Sequence, residues 1–477
     1  MTKRTRAAAM TALGIALLTT GCGGGGGGGG GGTGGIDRGG ITIAVGPVTG
    51  FGSIFVNGVE YSTSGATVSV DDNPGTESDL RVGQIVRVEG TVDTTGTKGT
   101  ATKVTFNDQL EGPIQSIDSA AGRMVVLGQT VQVGPATSFD DRISPAGLDG
   151  LAVGNRVEIS GTVSSTGVVN ATRVELKSDS ASVEVKGLVA SLDTGNKRFA
   201  INQLQVDYSA AQVNGFGSGQ PANGDDVEVK GPLNGSGMLV ASSVEKKSAS
   251  TPGTSEDKAD FEGQVTRFVS TTDFDVAGQR VTTTAATTYD GGTAANLALD
   301  VKVEVEGNFD ASGRIVATRV AFRRDADIEL DARVDSVNAA GNSLVLLGVT
   351  LRTNSLTRFE DKSSAQVERF GLANLSAGDF VSIRAYDDGS GLLATQLERV
   401  DALSRIELTG PVGGLAQPGF TVAGIPVTTD INTEFRDTNG ATITATEFFA
   451  AAAGQTVQVR GTLVANAVLA ERAELED

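Results

Sequence analysis

GQIVRVEG, residues 83–90, is the stretch that decides the fold, because variants of it recur along the whole chain. They read GNRVEISG (154–161), GDDVEVKG (224–231), DVKVEVEG (300–307), GDFVSIRA (378–385) and GQTVQVRG (454–461). Positions four and six of the block are always Val or Ile, from Val86 and Val88 to Val457 and Val459. A two-residue period of β-branched side chains predicts a strand with one buried face. The leading Gly fits a tight turn, and the trailing Gly fits a bulge or sharp bend. Asp300 replaces the first in one copy, and Ala385 replaces the second in another.

The neighbours of the block recur as well. Downstream come ATKV at 101, ATRV at 171, ASSV at 241, ATRV at 317, ATQL at 394 and a degenerate AERA at 470. Upstream lies a hairpin pattern such as IFVNGVEY (54–61), MVVLGQTV (124–131) or FDVAGQRV (274–281); the third copy, FAINQLQV (199–206), lacks its Gly. A Thr-x-Phe/Tyr step follows in several copies, at Thr137, Thr287, Thr357 and Thr433. Short Ala- or Leu-rich stretches then precede the block, as in GLDGLAV (147–153), AANLAL (294–299) and ATEFFAAAA (445–453), and predict one or two helical turns. The third copy has NGFGSGQPANG (214–224) there and lacks the helix.

The unit is therefore strand, two-stranded hairpin, short helix, strand, turn, strand. That order is the topology of an OB-like five-stranded barrel, for which about 70 residues suffice. A β-sandwich needs about seven strands and 100 residues. We expect a mainly β chain of six such barrels, each with a short helix, over 41–108, 109–180, 181–248, 260–326, 327–402 and 403–477. SASTPGTSEDKA (248–259) is the one linker-like joint, and we expect a division there into three plus three barrels.

GPVTGFGSIFVNGVEY (46–61), the V-x-V-x-G block and the A-T-x-V ending resemble the bacterial family of domains of unknown function 5666. The resemblance implies tandem small barrels in secreted or lipid-anchored proteins. It implies no activity.

The N-terminus reads as a signal of a particular kind. TKRTR (2–6) is basic, and AAAMTALGIALL (7–18) is apolar and too short to span a bilayer. The sole cysteine, Cys22, cannot form an intramolecular disulfide. Leu18-Thr19-Thr20-Gly21-Cys22 resembles the lipobox of bacterial lipoproteins, with Thr19 where Leu is commonest. That resemblance implies removal of the signal peptide 1–21, lipidation of Cys22 and, with Gly23 rather than Asp after it, sorting to the outer membrane. The ten glycines that follow make residues 22–40 a disordered leash. Its reach is about 25 Å for a flexible Gly-rich coil. We expect a cell-envelope protein facing the periplasm or the cell surface, joined to the membrane through lipid on Cys22.

Composition narrows the chemistry. The net charge is −19, which disfavours nucleic acid, since phosphate backbones would be repelled. The chain has no His, so His-based triads and His-ligated zinc are excluded. No phosphate-binding fingerprint occurs. The acidic loop clusters Asp71-Asp72-Asn73, Asp140-Asp141, Glu360-Asp361 and Asp387-Asp388-Gly389 match no calcium-loop spacing and suit ordinary turns. The glutamates of VEV and ATRVE alternate with core residues, as on solvated strand faces. We expect no enzyme, no cofactor and no metal, but a binding, scaffold or spacer role. The alternative is recognition of an envelope glycan or protein within a secretion or surface-polysaccharide system. A glycoside hydrolase using two carboxylates is a lesser one.

Overall fold

The computed structural model describes residues 41–178, 180–217, 219–247, 254, 257–367 and 369–476. The signal peptide, Cys22, the glycine leash and most of the 248–259 joint lie outside the described residues.

Each repeat forms one small barrel. In repeat 1 the first strand (Thr42–Gly50) pairs with the second (Ile54–Val56) and with the fourth (Ile85–Val92). The second pairs with the third (Val59–Ser62), the third runs parallel to the fifth (Lys98–Phe106), and the fifth closes on the fourth. The cyclic order 1-2-3-5-4 recurs in repeats 2, 4, 5 and 6. Repeat 3 is looser: its first strand breaks between Leu188 and Ala190, its fifth between Val240 and Ser243, and its strands fall into two sheets.

The recurring sequence motifs acquire physical reasons. All twelve Val and Ile residues of the V-x-V positions are at most 1 % exposed and line the barrel interiors. The leading residue of the block has positive φ in every copy, from +75° at Gly454 to +96° at Gly378, with Asp300 at +65°. Asp300 is tied in place: its carboxylate accepts from Ser165 N at 2.6 Å and Ser165 Oγ at 2.9 Å. The trailing Gly sits at a bulge, where a Cβ on Gly161 would meet Asn170 O at 2.4 Å and one on Gly307 would meet Val316 O at 2.3 Å. Opposite the bulge stands the Ala of A-T-x-V, as in Gly161↔Ala171 and Gly307↔Ala317, so two small residues face each other where the strands come closest.

The Thr-x-Phe/Tyr step is a clasp. Thr137, Thr287, Thr357 and Thr433 each donate through Oγ1 to the carbonyl of that same Ala, at 2.8, 2.7, 2.7 and 2.7 Å. Each hydroxyl also accepts a backbone N–H from three residues upstream, as Gly134 N does at 3.0 Å. The clasp joins the end of the third strand to the fifth.

The short helix expected in each repeat is not found. Among the described residues only repeat 6 has an α-helix, Ala445–Ala451, started by Thr444 and Glu447, which bond each other's backbone N–H. Before the block, repeats 1, 2, 4 and 5 carry only a 3-10 turn, at Glu77–Asp79, Leu148–Gly150, Ala294–Asn296 and Leu372–Asn374; repeat 5 has a second, at Ala339–Gly341, in its hairpin. Repeat 3 has no helix among the described residues. Segments this short, bounded by strand ends and in places broken by Gly, cannot repay the cost of a helical nucleus. A buried Leu (Leu80, Leu148, Leu297, Leu372) plugs the barrel end instead, as Phe448 does in repeat 6.

Nor do the barrels divide three plus three. The free edge of each first strand pairs with the first strand of another repeat. Repeat 1 joins repeat 4 in parallel, with Thr42↔Lys258 through Val45↔Phe261. Repeats 2 and 3 join antiparallel at Leu110↔Val185, and repeats 5 and 6 at Leu330↔Leu408. Edge pairing removes the exposed strand that an open barrel would otherwise present. Repeats 2 and 3 share one apolar core, and so do repeats 5 and 6.

Candidate functional site

On the first, fourth and fifth strands the outward positions are charged. The expectation that these faces are solvated fails for several of them. Glu158, Glu228 and Glu304 are each 2 % exposed, Arg173 is 4 % and Glu262 is 7 %. They lie between barrels, where each finds an oppositely charged partner. Burying charge is tolerated only with such pairing.

Between repeats 1, 2 and 3, Lys186 is the hub, reaching Asp108 at 3.2 Å, Glu184 at 3.1 Å and Glu228 at 3.2 Å. Lys230 joins Glu184 at 3.1 Å, Glu228 at 3.3 Å and Asp72 of repeat 1 at 2.9 Å. Asp108, Glu111 and Glu158 bring carboxylate oxygens within 4.8 Å of one another, the grouping best suited to a cation among the described residues. Each already has a protein cation, in Lys186, Arg156 and Lys177 respectively. Burial pushes Glu158 up to about 7 against the pull of Lys177.

A second lattice covers the outward face of repeat 4, beside its strand pair with repeat 1. Burial would raise Glu262, but Lys302 at 2.8 Å and Arg323 at 3.3 Å outweigh it and hold its carboxyl at about 2. Glu304 pairs with Arg319 at 3.0 Å and with Arg323. Asp260 is buried beside Glu306 and is pushed up to about 8.

A third contact, between repeats 2 and 5, encloses a cleft of about 420 Å³. One wall is the outward sheet face of repeat 5: Glu329 on its first strand, Ser382 and Arg384 on its fourth, Gln396 and Glu398 on its fifth. The other wall is the end of the third strand of repeat 2 with the loop after it, bringing Phe139, Asp141 and Ile143. Lys362 bridges Asp141 and Glu360, at 3.0 Å each. Arg384 forms an ion pair with Glu329 at 3.1 Å and donates to the Pro135 carbonyl at 3.1 Å. Burial, then Glu360, raises the carboxyl of Glu398, and burial raises that of Glu329.

The acidic loops singled out in the sequence are occupied. Asp72 pairs with Lys230, Asp140 with Arg142, Asp361 with Arg399 and Asp388 with Arg352. Two of the loops, Asp140-Asp141 and Glu360-Asp361, meet at Lys362, which their sequence separation conceals. Arg384, Gln396 and Glu398 were missed by sequence reasoning. They obey the same alternation as outward residues in every repeat, so no local signal marks them. Cys22, the one residue assigned a covalent role, lies outside the described residues.

Fold and faces together define a tandem array of small barrels docked edge to edge and through charged sheet faces. The chain belongs to the family described as "Domain of unknown function (DUF5666)", whose model matches six times, at residues 44–105, 111–175, 186–245, 262–321, 331–398 and 409–474. No curated protein matches the chain. Among solved structures it is similar to one titled "drosophila Unr CSD456", at 12% identity over 43% of this chain and 98% of that one, with a TM-score of 0.13. A likeness that slight carries no argument.

Proposed function

We propose that this chain is a lipid-anchored scaffold of the bacterial cell envelope, non-catalytic, carried on its glycine leash from Cys22. One observation carries the scaffold reading: polar side chains on the outward faces reach from barrel to barrel, in ion pairs of repeat 3 with repeat 1 and of repeat 2 with repeat 5, and in amide hydrogen bonds from repeats 1 and 2 to repeat 4, so much of the polar chemistry of the chain is spent on assembly. The anchor rests on the lipobox-like Leu18–Cys22 and the apolar run before it. No helix among the described residues is long and apolar enough to cross a membrane. Acyl chains would supply the attachment, at about 0.8 kcal/mol per buried CH₂.

The test is the intact mass of the chain recovered from membranes of the producing bacterium. The expected species starts at an acylated Cys22, and Cys22→Ala moves the protein to the soluble fraction. An unmodified Cys22, or membrane retention of the variant, overturns the anchor. A turnover screen on envelope glycans and peptides tests the scaffold half; hydrolysis abolished by an acid-to-amide change overturns it.

A further inference from the structure

We propose that a pocket between repeats 1, 4 and 5 binds one small oxyanion, of the phosphate or carboxylate kind, on the free edge of the Arg358 guanidinium. The pocket has a volume of about 100 Å³. That is the space of roughly three liquid waters, which suits an ion and is too small for a drug-sized ligand. Repeat 1 contributes Thr49 to its wall, repeat 4 Lys302 and Arg323, and repeat 5 Arg358. Its mouth is open to an ion, since the lining residues Arg324, Asp325 and Asn354 are exposed.

Arg358 is the middle residue of the Thr-x-Phe step of repeat 5, where the Thr357 clasp to the Ala394 carbonyl, at 2.7 Å, fixes the backbone. Other copies carry Ser138, Thr288 and Glu434 at that place, so the barrel does not require an arginine there. The residue is only 6 % exposed. Its Nη1 donates to the Ala136 carbonyl at 2.5 Å, and Ala136 lines the same pocket. Nε and Nη2 have no hydrogen-bond partner, yet neither is sealed from solvent. With the rest of the side chain enclosed, that edge opens into the pocket. Nε–H and Nη2–H are the parallel pair of a guanidinium, the fork that takes two oxygens of a carboxylate or phosphate side by side.

Charge gives the same answer. Among the described residues no carboxylate forms an ion pair with Arg358. The acids that act on it do so from farther away, and most are engaged elsewhere. Glu262 is taken by Lys302 and Arg323, Glu360 by Lys362 and Arg173, and Glu398 accepts from Gln396; Asp325 stands at the exposed mouth. Burial lowers the pKa of the guanidinium, and a buried cation without a counter-charge is costly. Water would satisfy the two N–H groups but not the charge. Lys302, Arg323, Arg324 and Arg358 line the pocket against Glu262 and Asp325, a positive surplus in a chain whose net charge is −19. An oxyanion meets both the fork and the surplus. This assignment goes beyond the scaffold reading, and its failure would leave the anchor and the barrel assembly untouched.

The experiment is calorimetric titration of the full chain in detergent, in a phosphate-free neutral buffer, with sodium phosphate, sodium acetate and sodium chloride at matched ionic strength. The expected result is saturable one-site binding of phosphate or acetate, about tenfold or more tighter than chloride. The tighter of the two oxyanions tells a phosphate site from a carboxylate site. Arg358→Lys keeps the charge but loses the fork and should weaken binding by about tenfold, while Arg405→Lys, at an exposed arginine of repeat 6, should not. Because a change at a buried arginine can also loosen the barrels, hydrogen exchange on the unaltered chain gives a second reading. The bound oxyanion should slow exchange in 322–326 and 354–359. No saturable heat with either oxyanion, equal affinity for chloride, unchanged affinity in Arg358→Lys, or protection only elsewhere would overturn the assignment.

Discussion

Asn57 and Asp260 are 203 residues apart in sequence, yet the Asn57 amide donates to the Asp260 carboxylate at 2.9 Å. The same Nδ2 reaches the Asp260 carbonyl and the Val45 carbonyl, both at 3.1 Å. Asn57 holds the left-handed turn of the repeat 1 hairpin, at φ +50°. It lies over Gly46, where a Cβ would come 1.9 Å from its Oδ1. One side chain thus locks the parallel strand pair of repeats 1 and 4, and a missing side chain makes room for it.

Asn57→Gly keeps the turn and removes the lock. We expect a loss of about 1–3 kcal/mol, the penalty for leaving buried partners unsatisfied. Gly46→Ala should cost a similar amount by overpacking. Urea unfolding of each variant checks this, with hydrogen exchange at 42–45 and 258–261 as the local reading. Unchanged exchange there would mean that the strand pair does not depend on the amide.

Stability should fall on both sides of mildly acidic pH. Asp260 is held up at about 8 and Glu158 at about 7, from ordinary values of 3.8 and 4.5. In that window the folded chain binds more protons than the unfolded one, so rising pH removes stability until the folded values are passed. Glu262 and Glu228 are held at about 2, and their contribution is lost as pH falls from 4.5 toward 2. Thermal midpoints across pH should show a maximum. Asp260→Asn should flatten the alkaline limb, and an unchanged limb would contradict the burial of that carboxylate.

Lys186→Met leaves Asp108, Glu184 and Glu228 without their shared cation. Removing one partner of a buried charge cluster costs roughly 3–5 kcal/mol. We expect a lowered urea midpoint. In the double variant Lys186→Met with Asp108→Asn, part of the loss should return, because Asp108 is the charge left stranded, whereas Glu228 keeps Lys230 and Lys247.

Gly161→Ala would drive a methyl to within 2.4 Å of the Asn170 carbonyl and should cost about 1–3 kcal/mol. Repeat 5 already carries Ala385 at that place, paired with Ala394. There the strands have adjusted, so Ala385→Gly should change the midpoint little. The two urea curves, measured side by side, check the asymmetry.

Much of one barrel was written locally. The V-x-V period, the x-Gly hairpin turns and the spacing from hairpin to block reflect interactions within about 70 residues, and strand alternation repeats without regard to the rest of the chain. The Thr-x-Phe/Tyr and A-T-x-V motifs were visible without their meaning, since the clasp between them spans 30 to 37 residues. The helix was overread, because an Ala- or Leu-rich composition does not reveal that only a turn's length is available. What only the tertiary structure decided is which faces meet. Glu158 and Glu228 alternate in sequence just as exposed charges do, and their burial depends on Lys177 and on Lys186 and Lys247 respectively. The choice of repeat 4 as the partner of repeat 1, and of repeat 5 as the far wall of the cleft, rests on matched edges and charges between distant segments. Local propensity carries no record of such matches, because the energy belongs to the pair and appears only once both barrels have formed.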